Sequence, residues 1–232
     1  MRIEGKGAID RSKPVSFKFD GKTYQGFKGD TLASALLANG VKLFGRSFKY
    51  HRPRGVLTAG SEEPNALVEV VGATNHTPNV RATVQEIFAG LNARSQNRWP
   101  SLRFDLMAVN DLAAPFLSAG FYYKTFMWPK ALWEGLYEPV IRRAAGLGSL
   151  SGKHDEGRYE KAFAFCDVLV IGAGPTGLMA ALTAARAGAD VILCEEDRLL
   201  GGRLIADDAT LNGKPAVEWV AAVEAELRAC PN

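Results

Sequence analysis

The sequence predicts a mixed fold, with a small α+β module followed by a helical connector and the start of an α/β domain. Residues 15–27 alternate in polarity around an Asp-Gly pair, which is typical of a β-hairpin. Residues 168–194 run from an apolar strand through a glycine-rich turn into an alanine-rich helix and a second apolar strand. We expect the three parts at residues 1–80, 81–160 and 161–232.

The first module has local signals for each of its elements. Asp20-Gly21 predicts the hairpin turn, Asp30-Thr31 the start of a helix, and Gly40 its end. The expected elements are strands at 15–19 and 22–27, a helix at 32–39 and a strand at 66–70. This order predicts a ubiquitin-like or ferredoxin-like β-grasp.

The connector is expected to be mainly helical over residues 80–145, with helical spacing at 83–93. Residues 146–159 are rich in glycine and charge and are expected to be a linker. We expect the large aromatic side chains to fill a core or a subunit interface rather than a substrate pocket. These are Trp99, Phe116, Phe121, Tyr122, Trp128 and Trp133.

The most informative pattern is the glycine turn at residues 172–177. Val168–Ile171 is a continuous apolar run, expected of a parallel strand buried on both faces. Gly172 permits the tight turn, Gly174 lets a pyrophosphate approach the backbone, and Gly177 lets the helix pack against the strand. The helix at 175–187 presents its N-terminus to the anion. This is the pattern of a Rossmann-type dinucleotide-binding unit, and the alternative is a turn that binds nothing.

A second strand at 191–194 ends in Glu195, 18 residues after Gly177. An acid there accepts hydrogen bonds from ribose hydroxyls and disfavours the 2′-phosphate of NADP. The pattern continues to Gly201-Gly202-Arg203 and resembles the extended fingerprint of the two-dinucleotide-binding flavoproteins. The predicted cofactor-binding residues are Gly172, Gly174, Pro175, Thr176, Gly177, Glu195, Glu196, Gly202 and Arg203.

Composition excludes several functions. The net charge of +3, from 28 basic and 25 acidic residues among 232, is too balanced to indicate nucleic-acid binding. The aromatic stretch 116–133 is interrupted by Lys124, Pro129 and Lys130, so no membrane span is expected. The N-terminus has no apolar signal core, and a cytoplasmic location is expected.

The three cysteines, Cys166, Cys194 and Cys230, have no metal-ligand spacing and are expected to be reduced thiols. Cys194, within a strand, is expected to be a small core residue. No metal site and no catalytic acid, base or nucleophile is predicted.

The segment 45–55 is basic with interleaved aromatic residues. Three interpretations stay open: a structural loop, a loop that contacts anionic phosphates or a partner subunit, and a nucleic-acid patch. His51 alone forms no ligand set, because the other histidines, His76 and His154, lie in different segments.

Residues 23–40 and 46–55 resemble the alpha subunits of heterotetrameric sarcosine oxidases, and residues 120–126 and 137–148 extend the likeness over nearly the whole chain. The resemblance implies a complex with beta, gamma and delta subunits and a small-molecule amine substrate. Such an assembly converts sarcosine to glycine and hydrogen peroxide and passes a one-carbon unit to tetrahydrofolate. It also implies that the chain is a fragment, because one β-α-β unit does not complete a dinucleotide-binding domain.

The resemblance also carries the cofactor prediction. It implies NAD at the glycine turn, with FAD as the alternative, and flavins and tetrahydrofolate elsewhere in the complex. Related cyanide-forming and opine oxidases hold a two-iron cluster on cysteines after the Arg-Pro-Arg-Gly turn. Here residues 56–65 contain no cysteine, so no iron–sulfur cluster is expected. Two other functions stay open: a non-catalytic dinucleotide-binding scaffold, and an FAD-binding subunit of a related amine, opine or cyanide-forming dehydrogenase.

Overall fold

The computed structural model describes most of the chain, in two compact units, Met1–Glu156 and Gly157–Asn232. The described residues are 2–3, 9–72, 75–115, 117, 119–120, 126, 128–144, 146, 148–154, 158–197, 199–205 and 209–232. They form a mixed α/β structure. The finer division of the chain at residues 80 and 160 stays a prediction.

The first unit is built on a five-stranded sheet with the order β2-β1-β7-β5-β6. Strand β1 lies parallel to β7, and the other neighbouring strands are antiparallel. The strands of this unit are β1 (Asp10–Phe19), β2 (Lys22–Lys28), β3 (Gly45–Arg46), β4 (Pro53–Arg54), β5 (Leu67–Val71), β6 (His76–Arg81) and β7 (Asn92–Ser95). The sheet therefore extends past residue 80, where the sequence predicted the module to end.

The local signals in this module are confirmed. The hairpin turn has Asp20 and Gly21 at φ 47° and 77°, the left-handed conformation that an Asp-Gly pair favours. Helix α1 (Leu32–Ala38) begins after Thr31, whose side chain accepts a hydrogen bond from the Ser34 N–H. Because these signals depend on near neighbours only, the sequence was sufficient to locate them.

The core of the unit lies between α1 and the sheet. Leu32 and Leu36 of α1 are fully buried, together with Phe17 and Val68 of the sheet and Phe44 before β3. Complete burial of such a side chain stabilises the fold by about 1.5–3 kcal/mol. This cluster holds α1 against the sheet that contains the β1–β2 hairpin.

The expected helix at 83–93 is wrong. The segment forms turns whose backbone groups bond to the start of α1: the Leu32 N–H donates to Gln85 O, and the Ile87 N–H donates to Asp30 O. Residues 92–95 then become strand β7. Pairing with distant backbone thus overrides the local helical spacing.

The rest of the connector contains short helical segments. They are a 3₁₀ helix at Leu106–Ala113, a 3₁₀ turn at Lys130–Leu132, a π-helix at Trp133–Tyr137 and helix α2 (Glu138–Ala144). Trp99 and Trp128 are 60% and 83% exposed, so they do not fill the core of this chain. Phe116, Phe121 and Tyr122 lie outside the described residues. Within the described ranges, no helix has the length and apolarity needed to cross a bilayer.

The second unit contains the predicted strand–helix–strand. Its elements are β8 (Val168–Ile171), α3 (Pro175–Arg186), β9 (Val191–Cys194), a 3₁₀ turn at Gly202–Ile205, β10 (Thr210–Leu211), β11 (Lys214–Pro215) and α4 (Ala216–Ala229). Strands β8 and β9 pair in parallel. Helices α3 and α4 share an apolar core that includes Leu178, Leu182, Val220 and Val223.

Two burial expectations for these strands are wrong. Leu169 and Ile171 are 55% and 83% exposed. The described residues therefore cover only one face of β8. Cys194 is also exposed rather than part of the core. The reason is the same for both: within the described chain, β8 and β9 pair with each other alone, and α3 packs on one side of them.

Candidate functional site

The candidate site is the turn between β8 and α3. Gly172 leaves β8 at φ 95°, a left-handed conformation that glycine adopts without steric cost. Its N–H donates to Cys194 O at 2.8 Å, which extends the pairing of β8 with β9 by one residue. The turn therefore begins where both parallel strands end, which is the edge where open α/β sheets bind ligands.

Gly174 and Gly177 differ in the space around them. A Cβ on Gly177 would lie 1.8 Å from Gly172 O, so helix α3 approaches the turn too closely for any side chain. A Cβ on Gly174 would meet no atom of the described residues within 4 Å. The protein itself does not demand glycine at position 174, whereas a ligand lying on the backbone there would.

The start of α3 is open to an anion. Pro175 is the first helical residue, and no side chain caps the helix. Thr176, the next residue, is exposed. The uncapped N–H groups and the dipole of this 12-residue helix give its N-terminus a partial positive charge.

Glu195 ties the end of β9 to the turn. Its carboxylate accepts hydrogen bonds from the N–H of Ala173 at 2.6 Å and from the N–H groups of Glu196 and Asp197 at 2.8 and 3.0 Å. Partial burial by itself raises the pKa of this carboxyl, but the three backbone hydrogen bonds outweigh it and hold the pKa below its ordinary value. Glu195 is therefore an anion at neutral pH, beside the glycine turn.

The second glycine pair lies against the first turn. The Gly201 N–H donates to Ala173 O at 2.8 Å. Gly202 comes so close that a Cβ on it would lie 3.2 Å from the Gly174 Cα. Arg203 and Glu196 are both exposed at this edge. The predicted site residues thus lie together, although they come from three separate segments.

The sequence did not single out Ala173. This residue is fully buried, its N–H is held by Glu195 and its carbonyl by Gly201. It joins the two glycine segments through backbone groups alone. Because every residue type except proline has both of these groups, no signal in the sequence could have identified the role.

The whole chain is similar to known alpha subunits. It is 64% identical over 231 residues to the sarcosine oxidase subunit alpha of Rhizobium meliloti (strain 1021), covering 100% of this chain and 23% of that protein. The chain is a homologue of sarcosine oxidase alpha subunits. The corresponding subunit of Corynebacterium sp. (strain U-96) is 33% identical over 222 residues, 95% of this chain and 18% of the relative. The resemblance stated from the sequence is confirmed, and the chain spans less than a quarter of the length of these relatives.

The fold of this homologue is similar to that of a solved dehydrogenase chain. The crystal structure of L-proline dehydrogenase from P. horikoshii matches with a TM-score of 0.52 and 21% identity, over 97% of this chain and 32% of that one. At this identity the likeness concerns the fold alone. It supports the mixed α/β class.

Two family models match parts of the chain and correct the cofactor prediction. Residues 12–98 match a 2Fe-2S iron-sulfur cluster binding domain, and residues 167–214 match the FAD-dependent oxidoreductases. The prediction that excluded an iron–sulfur cluster and favoured NAD is therefore wrong: the first match points to an iron–sulfur domain, and the second supports a flavin. The prediction considered only the cluster ligands, whereas the match extends over residues 12–98, which contain no cysteine.

Residues 12–98 lack the thiolate ligands that an iron–sulfur cluster needs. Iron–sulfur clusters are held by cysteine thiolates, and residues 12–98 contain no cysteine. In the described part of the chain, no three His, Cys, Asp or Glu side chains are grouped as metal ligands. The domain pattern is thus present, but these residues do not fit a thiolate-held cluster.

Proposed function

We propose that the glycine turn of the second unit binds the ADP half of FAD, as the first part of a Rossmann-type domain. The observation that supports this most strongly is the open space at Gly174, above an uncapped helix N-terminus and beside the Glu195 carboxylate. The match of residues 167–214 to FAD-dependent oxidoreductases supports a flavin.

Each residue has a definite part in this binding. The backbone at Gly172–Gly177 and the N-terminus of α3 hold the pyrophosphate, because they offer N–H donors and no side chain in the way. Glu195 exchanges its hydrogen bond from Ala173 for the hydroxyls of the adenosine ribose. Arg203, which is exposed on the turn that packs against Gly174, supplies a positive charge for the phosphates. The flavin supplies the redox chemistry, and these residues position it.

We further propose that the whole protein is the alpha subunit of a sarcosine oxidase. In such a complex, sarcosine is oxidatively demethylated to glycine with release of hydrogen peroxide, and a one-carbon unit passes to tetrahydrofolate. Beta, gamma and delta subunits are the proposed partners. The support is the 64% identity to a sarcosine oxidase subunit alpha over the whole of this chain.

The test is to purify the full-length protein with its candidate partner subunits and measure sarcosine-dependent hydrogen peroxide. The supernatant after denaturation is then analysed for nucleotides. We expect peroxide formation and a yellow supernatant that contains FAD. A complex that forms no peroxide with sarcosine contradicts the proposed activity, and a supernatant without flavin contradicts the proposed cofactor.

Replacing Gly174 by valine is expected to reduce FAD binding about tenfold or more, or by ~1.4 kcal/mol, because the side chain fills the space for the pyrophosphate. The fold is expected to persist, since a Cβ at this position meets nothing within 4 Å. The measurement is the FAD content per polypeptide together with the thermal unfolding midpoint.

The matched control for this variant is Ala180→Val, which enlarges an exposed residue of α3 away from the turn. It is expected to retain FAD. Equal FAD contents in the two variants would contradict the proposed site. If turnover persists in Gly174→Val after FAD is lost, the site serves assembly rather than catalysis.

A further inference from the structure

We propose a second ligand site in the first unit: a cavity beside the β3–β4 hairpin that binds a phosphate-bearing small molecule of mononucleotide size. The cavity has a volume of about 300 Å³. Lys49 and Arg54 line it from the hairpin, and Asn65 and Asn97 line it from the facing segments. No acidic side chain occurs among the described residues that line it.

The hairpin that carries these cations is anchored by a buried contact between His51 and Asp105. The His51 Nδ1 lies 2.7 Å from the Asp105 Oδ2, and both side chains are almost completely buried. The same carboxylate accepts hydrogen bonds from the N–H groups of Trp99 and Met107. A ligand bound by the hairpin therefore meets a preformed wall, which limits the entropy lost on binding.

Two of the arginines in this segment are already neutralised. Arg46 lies 4.0 Å from the Asp105 carboxylate and donates to Leu102 O. Arg52 forms an ion pair with Asp111 at 2.7 Å. Arg54 differs from both, because no carboxylate lies within ion-pair distance of it in the described chain. Its guanidinium is thus the cation at the cavity that an external anion is best placed to neutralise.

The lining matches a phosphate attached to a flat apolar body. A guanidinium binds phosphate through two parallel N–H donors, and the Asn65 amide in the lining offers a further donor, whereas the Asn97 amide already donates to Ser47 O. Phe48, which is 42% exposed, and Leu67 supply apolar surface in the same cavity. The volume lies at the lower end of the range for small-molecule sites, about 300–1,000 Å³. A mononucleotide combines these properties, whereas nucleic acid requires an extended surface.

The Glu63 carboxylate, which is close to the lining, does not oppose an anion. Glu63 lies two residues before Asn65 and is 1% exposed. Its two oxygens accept four backbone N–H hydrogen bonds, so its charge is directed inward and offset by these donors. The cavity therefore remains favourable for a negative group.

The experiment titrates adenosine 5′-monophosphate into the full chain by calorimetry, in the Gly174→Val background, which weakens binding at the glycine turn. Inorganic phosphate and adenosine are titrated separately to distinguish the phosphate group from the apolar body. We expect Arg54→Gln and Lys49→Gln each to weaken binding of the monophosphate about tenfold, ~1.4 kcal/mol. The matched control is Arg81→Gln, an exposed arginine of β6 outside the cavity, and it is expected to bind as the parent does.

The outcomes separate this site from the proposed FAD site. If Arg54→Gln or Lys49→Gln keeps its thermal stability but binds the monophosphate more weakly, the cavity is supported as the binding site. This result does not depend on whether FAD binds at the glycine turn. No heat with the monophosphate at millimolar concentration overturns the proposal, as does equal affinity in all three variants. Equal affinity for inorganic phosphate and the monophosphate would overturn the assignment of the apolar body.

Discussion

Replacing Gly177 by alanine is expected to abolish FAD binding and to destabilise the second unit. The new Cβ would lie 1.8 Å from Gly172 O, which is a backbone atom and cannot rotate away. Either α3 shifts outward or the turn changes conformation, and both displace the N–H groups proposed to hold the pyrophosphate. Such overpacking costs about 1–3 kcal/mol in stability. The measurements are FAD content and the unfolding midpoint of the purified protein.

The control is Gly174→Ala, three residues away in the same turn. Its Cβ meets nothing within 4 Å, and its φ of −66° suits any residue. We expect its free energy of unfolding to stay within about 0.5 kcal/mol of the parent. If Gly177→Ala is as stable as Gly174→Ala and binds FAD like the parent, then the close approach of α3 to the turn is not a requirement of this site.

Replacing Glu63 by glutamine is expected to destabilise the first unit strongly. The Glu63 Oε2 accepts from the N–H groups of Leu57 and Thr58, and the Oε1 accepts from those of Asn65 and Ala66, at 2.7–2.9 Å. In the variant, an amide NH₂ replaces one oxygen, so it faces two backbone donors in a partly buried site and accepts from neither. The expected cost is about 3 kcal/mol, since a buried donor left without an acceptor costs ~1–3 kcal/mol.

The Glu63 variant is measured by thermal unfolding and by hydrogen exchange of the four amides. Its matched control is Glu62→Gln, which makes the same change at an exposed neighbour and is expected to be close to neutral. Rapid exchange confined to these amides identifies the loop as the part affected. Equal unfolding midpoints for the two variants would contradict the role assigned to Glu63.

The stability difference between the parent and Glu63→Gln is expected to depend on pH. Burial by itself raises the pKa of Glu63, but the backbone hydrogen bonds outweigh it and the pKa is lowered in the folded protein. A carboxyl with a lowered pKa contributes stability above its ordinary pKa, about 4.3, and loses it as the pH falls through the lowered value. The free energy of unfolding of the parent should therefore exceed that of Glu63→Gln by the whole amount at pH 7 and by a smaller amount in acid.

The elements that the sequence located correctly are those whose signals are local. The Asp20-Gly21 turn, the cap at Thr31 and the strand–glycine–helix pattern from Val168 each depend on residues a few positions apart. Turn conformation, helix capping and side-chain periodicity are properties of short segments, so one sequence is enough to predict them. The grouping of Glu195 with the glycine turn was also predictable, because the length of one β-α-β unit brings it there.

The cofactor shows a different limit of the sequence. The absence of cysteine correctly described the ligands available in residues 12–98 but led to the wrong cofactor prediction, because this segment matches an iron–sulfur cluster binding domain. Likewise, the glycines and Glu195 are proposed to bind the adenosine half that NAD and FAD share. Residues that contact a common part of two cofactors do not distinguish between them, and here the match to FAD-dependent oxidoreductases supports the flavin.

Tertiary structure alone decided the contacts between distant segments. Residues 83–93 have helical spacing, yet they pair with the start of α1 because backbone donors and acceptors there need partners. His51 and Asp105 are separated by 54 positions. They meet because the fold brings the β3–β4 hairpin against the start of the 3₁₀ helix at Leu106–Ala113. The sequence by itself determined the glycine turn and the elements around it, since these depend on local conformation. The fold decided which buried polar groups satisfy one another, because that choice depends on which segments the apolar core brings together.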